Sequence, residues 1–108
     1  MIYSRIWVFD MYKINRSNQF KKDIKLCIKR DYDMCVLKNA IKKLEENGEL
    51  PSHPLQGGLS YIFDHHLKPD WLLLFSVDYN PEYDKEVDTF FDGTVHLFRT
   101  GTHADLFK

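Results

Sequence analysis

The chain has 108 residues, a formal net charge of −1 and a hydrophobic content of 44%, enough for one small packed domain and too little for two. No stretch approaches the ~20 consecutive apolar residues needed to cross a bilayer. Its 2 cysteines, Cys27 and Cys35, fit neither a zinc ribbon nor a disulfide framework, so reduced, buried thiols in a cytoplasmic protein are expected.

Residues 1–10 are rather apolar but include Arg5 and Asp10. They lack the hydrophobic length and small-residue cleavage site of a signal peptide. They read as an N-terminal extension ahead of a single domain over 11–108, with Met11 as an alternative start. Tyr12 to Arg16 alternates apolar and polar residues, the pattern of a short strand. Ser17 can cap a following helix, whose apolar face is expected at Phe20, Ile24, Cys27 and Ile28, ending near Arg30. Lys21, Lys22, Lys25 and Lys29 fall on its other face, as a solvated surface or one turned to RNA. Asp33 can cap a second helix with Leu37, Ala40, Ile41 and Leu44 as its stripe and Asn47-Gly48 as a left-handed stop. Two or three residues join the helices, so they should form a hairpin.

Beyond Pro51 the pattern turns to strands. Leu59 to His66 is one candidate. Trp71 to Val77 is a continuous apolar run, predicting a central strand covered on both faces. Val95 to Arg99 is another, and His103 to Phe107 suggests one helical turn. The expected fold is α+β, in the order β-α-α-β-β-β, with a helical hairpin packed on a mainly antiparallel sheet and a short C-terminal turn. Residues 78–92 carry Asp78, Glu82, Asp84, Glu86, Asp88 and Asp92 against Lys85. This acidic segment is long for a hairpin loop, and Pro81 and Gly93 suggest partial disorder. The rest of the chain is mildly basic, compatible with weak attraction to phosphates.

Four of the 5 histidines, His53, His65, His66 and His103, fall in strand ends and loops near Asp64 and Asp70, where sites tend to lie. His96 sits mid-strand and reads as structural or solvent-facing. Strand parity places Ile62, Asp64 and His66 on one face and Tyr61, Phe63 and His65 on the other, so one of the adjacent histidines should reach a site. His66, which travels with a carboxylate, is preferred. The residue chemistry leaves three possibilities open: scattered surface histidines, a zinc site drawing on His53, His66, Asp70 and His103, and metal-free acid–base catalysis by imidazoles that titrate near neutrality.

An ordered set of motifs runs along this stretch: His53-Pro-Leu-Gln-Gly57, then Asp64-His-His66, then Pro69-Asp-Trp71 leading into the apolar strand, and finally Arg99-Thr-Gly-Thr-His103 with Leu106-Phe107. Together with Lys22-Asp23-Ile24-Lys25, Arg30 and Met34, this set resembles the YafQ-like branch of the RelE/ParE superfamily of toxins, from about Met11 to Phe107. The resemblance implies the small α+β fold and the toxin half of a type II toxin–antitoxin pair, an mRNA interferase cutting mRNA in the ribosomal A site without a cofactor or membrane. It also implies a cognate antitoxin of ribbon-helix-helix type, two copies of each chain in the complex, and contact with operator DNA only through that antitoxin.

Carried over by position, His53, His66, Asp70 and His103 match catalytic residues, and Trp71 and Phe107 match contributors to the site. Asp64 and Arg99 join them as candidate substrate-binding residues. The implied chemistry is attack of a ribose 2′-OH on the adjacent phosphorus, with His103 as acid, His66 or Asp70 as base, and His53 and Arg99 as candidates for stabilising phosphorane charge. Arg99 could equally be an exposed strand-end cation, and Trp71 a core residue. Two features depart from the family pattern. Tyr61-Ile62-Phe63 stands where the family has Gly-Tyr-Arg, and the segment near 78–92 is an insertion. They motivate an alternative: a catalytically weakened toxin fold acting mainly as an antitoxin-binding module.

Overall fold

The computed structural model describes residues 11–55 and 61–107. The expected N-terminal extension, and the Leu59-Ser60 end of the strand expected from Leu59 to His66, lie outside the described residues. Ten elements follow in chain order: β1 (Tyr12–Arg16), α1 (Asn18–Lys29), α2 (Met34–Asn47), β2 (His53–Pro54), β3 (Phe63–Lys68), β4 (Trp71–Asp78), β5 (Glu82–Asp84), β6 (Thr89–Phe91), β7 (Gly93–Gly101) and α3 (His103–Leu106). This is the expected α+β plan. One five-stranded sheet runs β1-β7-β4-β3-β2; β1 pairs parallel to β7 and the other pairings are antiparallel.

Local chemistry sets both helix starts. The Ser17 hydroxyl accepts the Phe20 N–H and donates to the Phe98 carbonyl, so the cap of α1 is also tied to β7. Asp33 accepts the Cys35 N–H at the start of α2. Gly48 ends α2 at φ 69°, in the left-handed region, with the Tyr12 ring so close that a β-carbon would lie 2.6 Å from it. The helical hairpin packs on one sheet face: Phe20, Cys27, Leu37, Ala40 and Leu44 form one core with Trp71, Leu73, Phe75, Val95 and Leu97. All residues from Trp71 to Ser76 are buried, as a strand covered on both faces requires.

Three expectations need correction. Ile28 is 59% exposed. The buried stripe of α1 is centred on Phe20 and Cys27, and about 100° of helix per residue swings Ile28 off it; Asp23 is buried there instead. Cys27 is buried, but Cys35, in the first turn of α2, is exposed. The acidic segment is not a disordered loop: β5 and β6 pair as a two-stranded antiparallel sheet, and Lys13 on β1 pins it through Glu82 at 3.1 Å and Asp84 at 3.0 Å. Among the described residues, no helix is long and apolar enough to cross a membrane.

Candidate active site

The site forms at the end of the sheet where β3 turns into β4 and β7 runs into α3. Asp64 and His66 are two apart on β3 and share a face, Asp70 lies in the β3–β4 turn, and His103 opens α3. A register shift between His66 and Lys68 marks the exit of β3 toward that turn. The α3 turn is built by a capping box: Thr102 Oγ1 accepts the Asp105 N–H, and the Asp105 carboxylate accepts the Thr102 N–H.

Asp70 and His103 form the tightest contact. His103 Nδ1 lies 2.6 Å from Asp70 Oδ1, and the His103 backbone N–H donates to the same oxygen at 3.0 Å. That backbone donor, followed by the ring, holds the Asp70 carboxyl below its usual value. An ionised carboxylate at Nδ1 favours the tautomer with the proton on Nδ1, which turns Nε2 outward as the reactive nitrogen. The His66 ring stands beside His103, with centroids 5.8 Å apart. The exposed Phe107 ring lies 6.3 Å from His103.

His53 is one step removed. It faces Asp64 across the β2–β3 ladder, with Nδ1 3.9 Å from Asp64 Oδ1, outside hydrogen-bonding distance. Its side chain is 82% exposed. Asp64 Oδ1 is buried and makes no hydrogen bond among the described residues. The structure thus brings His66, Asp70 and His103 together directly, while His53 neighbours Asp64, two residues before His66 on β3. His65 points the other way and bonds the Pro51 carbonyl at 2.6 Å, as strand parity predicts. His96 is half-buried and bonds the Asn15 side chain at 3.0 Å, far along β7 from His103.

Arg99 and Trp71 are held by structural bonds. Arg99 forks onto Asp23 of α1, Nε to Oδ2 at 2.8 Å and Nη2 to Oδ1 at 3.2 Å. Asp23, almost fully buried, also accepts the Thr100 N–H. Arg99 is therefore tied to α1 through Nε and Nη2, with about a third of its side chain exposed. The Trp71 ring is 3% exposed, donates from Nε1 to Thr100 Oγ1 and packs on Tyr32 at 4.8 Å. It belongs to the core, and with Tyr32, Asp33, Lys68 and Asp70 it lines a shallow cavity beside the site.

The polar network behind the site was not anticipated from the sequence. Arg30, at the end of α1, forks onto Asp105 in α3, Nη1 to Oδ2 at 2.7 Å and Nη2 to Oδ1 at 3.1 Å. The partners are 75 residues apart, and no periodicity signals such a pair. The acidic β5–β6 hairpin lies at the opposite end of the sheet. It follows the Asp78 end of β4, whereas the histidines gather at the Trp71 end, on the order of 20 Å away for a strand of this length.

The small sheet carries a helical hairpin and an open, histidine-lined end, and the chain matches the family model of a bacterial toxin of type II toxin–antitoxin systems. The profile for the YafQ toxins of such systems matches residues 12–108. The chain is 37% identical over 99 residues, 87% of its own length and 94% of the relative's, to the mRNA interferase toxin YafQ of Escherichia coli strain K12. YafQ in the E. coli DinJ–YafQ toxin–antitoxin complex superposes with a TM-score of 0.72 at 36% identity, covering 91% of this chain and 99% of that one. A metal-bound toxin from Helicobacter pylori superposes at 0.68 and 34% identity, covering 90% and 100%. The chain belongs to the YafQ family of toxins. Among the described residues, no group of three His, Cys, Asp or Glu side chains is arranged to hold a metal ion.

Proposed function

We propose that this chain is an endoribonuclease that cuts mRNA in the ribosomal A site, acts in the cytoplasm, and is held in check by a cognate antitoxin with a ribbon-helix-helix DNA-binding end. The observation that carries the proposal is the pairing of two imidazoles with one carboxylate: His66 beside His103, and His103 tied to Asp70. Cleavage of RNA needs a base at the 2′-OH and an acid at the 5′-oxygen, both within reach of one phosphate. Two rings this close can serve the oxygens of one phosphate.

In the proposed sequence, His66 takes the 2′ proton as the 2′-oxygen bonds to phosphorus. The bond from phosphorus to the 5′-oxygen breaks, and His103 gives that oxygen the proton on Nε2. The products are a 2′,3′-cyclic phosphate, open to hydrolysis, and a 5′-hydroxyl. Asp70, kept ionised by its two bonds from His103, is a poor base and a good orienting partner. It fixes the tautomer and orients the ring that donates. His53, exposed and close to Asp64, is available to the phosphorane oxygens, and Phe107 offers an exposed ring beside His103 for a base to stack on.

Both departures from the family pattern lie away from this machinery. Phe63 starts on the strand face opposite Asp64 and His66 and packs on Phe75 at 6.0 Å. The acidic hairpin sits at the far end of β4. Neither favours a weakened enzyme. The test is to add the full chain to ribosomes translating a defined mRNA and map new 5′ ends. New 5′-hydroxyl ends, formed equally with a zinc-selective chelator present, are expected. No new ends would leave the chain as an antitoxin-binding module.

A further inference from the structure

α3 has four residues, and none of them is buried. A single turn of helix is unstable by itself, since nucleation costs more than one turn returns. Something outside α3 must therefore hold it, and with it His103, in place. Three polar ties converge there. One is the bond from His103 to Asp70. The second is the capping box between Thr102 and Asp105. The third comes from another part of the fold: the Arg30 guanidinium, which clasps both oxygens of Asp105.

Arg30 is well placed for this. It is the C-cap residue of α1, and the chain reverses immediately after it through Asp31 at φ 61°. Its backbone N–H is bonded to Leu26 and its helix is fixed in the core through Phe20 and Cys27. The clasp thus runs from a rigid element to a weak one. A bidentate fork fixes orientation as well as distance, which a lysine's single ammonium does not. Asp105 also packs on the backbone at Gly101, where a β-carbon would lie 2.9 Å from Oδ2, so its carboxylate has little room to turn once Arg30 holds it.

We infer that Arg30, acting through Asp105, is a positioning residue for the reaction: it holds the α3 turn so that His103 keeps its place beside Asp70 and His66. The inference rests on the nuclease function proposed above, and it reaches a residue that does not touch the phosphate. Without the fork, α3 frays, His103 samples other positions, and the acid step slows while RNA binding persists. A misplacement of about 1 Å in such a group is enough to cost on the order of 10²-fold in rate.

The test uses the full chain with Arg30→Met, Arg30→Lys and Asp105→Asn. Amide hydrogen exchange is read at Leu106 and Phe107, whose N–H groups bond to the carbonyls of Thr102 and His103. Cleavage on programmed ribosomes is read as kcat and KM separately. Arg30→Met should abolish protection at both amides, lower kcat by tenfold or more and leave KM within about twofold. Arg30→Lys should recover part of both, and Asp105→Asn, which removes the fork from its other partner, should match Arg30→Met.

Retained protection in both Arg30→Met and Asp105→Asn would overturn the clamp. Lost protection with unchanged kcat would overturn its role in the reaction. A wild-type chain that cuts nothing would instead sink the nuclease reading, and the exchange data would still decide whether Arg30 holds α3.

Discussion

One oxygen of Asp70 accepts two hydrogen bonds from His103, one from the backbone N–H at 3.0 Å and one from ring Nδ1 at 2.6 Å. The backbone bond locates the residue and the ring bond orients it. Asp70→Asn separates the two effects. The amide oxygen can still accept the backbone N–H, but no carboxylate remains to hold the proton on Nδ1 and orient the ring. The expected outcome is a kcat lowered on the order of 10²-fold or more, with little change in KM, in ribosome cleavage assays. Wild-type kcat in Asp70→Asn would remove Asp70 from the mechanism.

His65 and His66 are adjacent and point to opposite faces of β3, so they should separate function from stability. His65 bonds the Pro51 carbonyl at 2.6 Å, tying down the segment that leads into β2. His65→Gln should lower stability by about 1 kcal/mol, the usual net worth of such a bond, and leave cleavage intact per folded molecule. His66→Gln should do the reverse: unfolding in urea unchanged, cleavage reduced on the order of 10²-fold or more. The same phenotype in both variants would mean that strand parity does not sort these two histidines.

Much of this was legible in the sequence because periodicity reports on single elements. The alternation at Tyr12 to Arg16, the stripe from Leu37 to Leu44 and the apolar run from Trp71 each fix an element and its buried side. Parity along β3 chose His66 over His65 for the same reason. What periodicity cannot carry is a contact between elements. Asp23 under Arg99 and Asp105 under Arg30 each join residues more than 70 positions apart, and no local periodicity marks either pair. The face of α1 was misjudged by one position, Ile28 for Asp23, because a buried carboxylate paired across elements breaks the rule that buried positions are apolar. Pairing within the acidic segment was hidden by its charge, which marks solvent exposure and says nothing about strand register.

Arg99 offers a clean test of a charge that the sequence offers as a candidate for phosphate binding. Its fork to Asp23 joins α1 to β7 with Asp23 almost fully buried. Removing the cation leaves that carboxylate with the Thr100 N–H and Gln19 as its remaining donors. Breaking a fully buried pair costs about 3–5 kcal/mol. Arg99 is about a third exposed, so solvent screening lowers the expected loss for Arg99→Met to about 2 kcal/mol, seen as a lower urea midpoint with an unchanged slope. Cleavage per folded molecule should stay near wild type. Unchanged stability with a raised KM would instead return Arg99 to the phosphate.

The carboxyls of Asp105 and Asp70 are both held below their ordinary value, Asp105 chiefly by the Arg30 fork and Asp70 chiefly by the His103 backbone N–H. For a group lowered on folding, the stabilisation is fully present above its unfolded value, near 3.8, and is lost as pH falls through the folded value. The anchoring of α3 should therefore survive acidification to around pH 4, where an ordinary aspartate is already half protonated, and fail only at more acid pH. Hydrogen exchange at Phe107, followed stepwise from pH 6 to pH 2, measures this. Loss of protection already between pH 6 and 5 would contradict the assigned direction.

The acidic hairpin supplies the last test, because its charge and its location predict opposite results. Six acidic side chains between Asp78 and Asp92, against Lys85 alone, would repel RNA if they lay near the phosphate. Their position past the Asp78 end of β4 puts them on the order of 20 Å from the histidines, beyond a Debye length of about 8 Å at physiological salt. The structure also shows how to remove most of them. Asp78 and Thr94 are already paired neighbours on β4 and β7, so an Asn-Gly turn between Tyr79 and Gly93 can replace residues 80–92, taking out Glu82, Asp84, Glu86, Asp88 and Asp92 together with Lys85. The ion pairs to Lys13 are lost, but pairs at a solvent-facing rim contribute little to stability. The shortened chain should fold and cleave with kcat and KM within about twofold of wild type at physiological salt. A KM that drops several-fold, and drops further as salt is lowered, would show that the hairpin's charge is felt at the site.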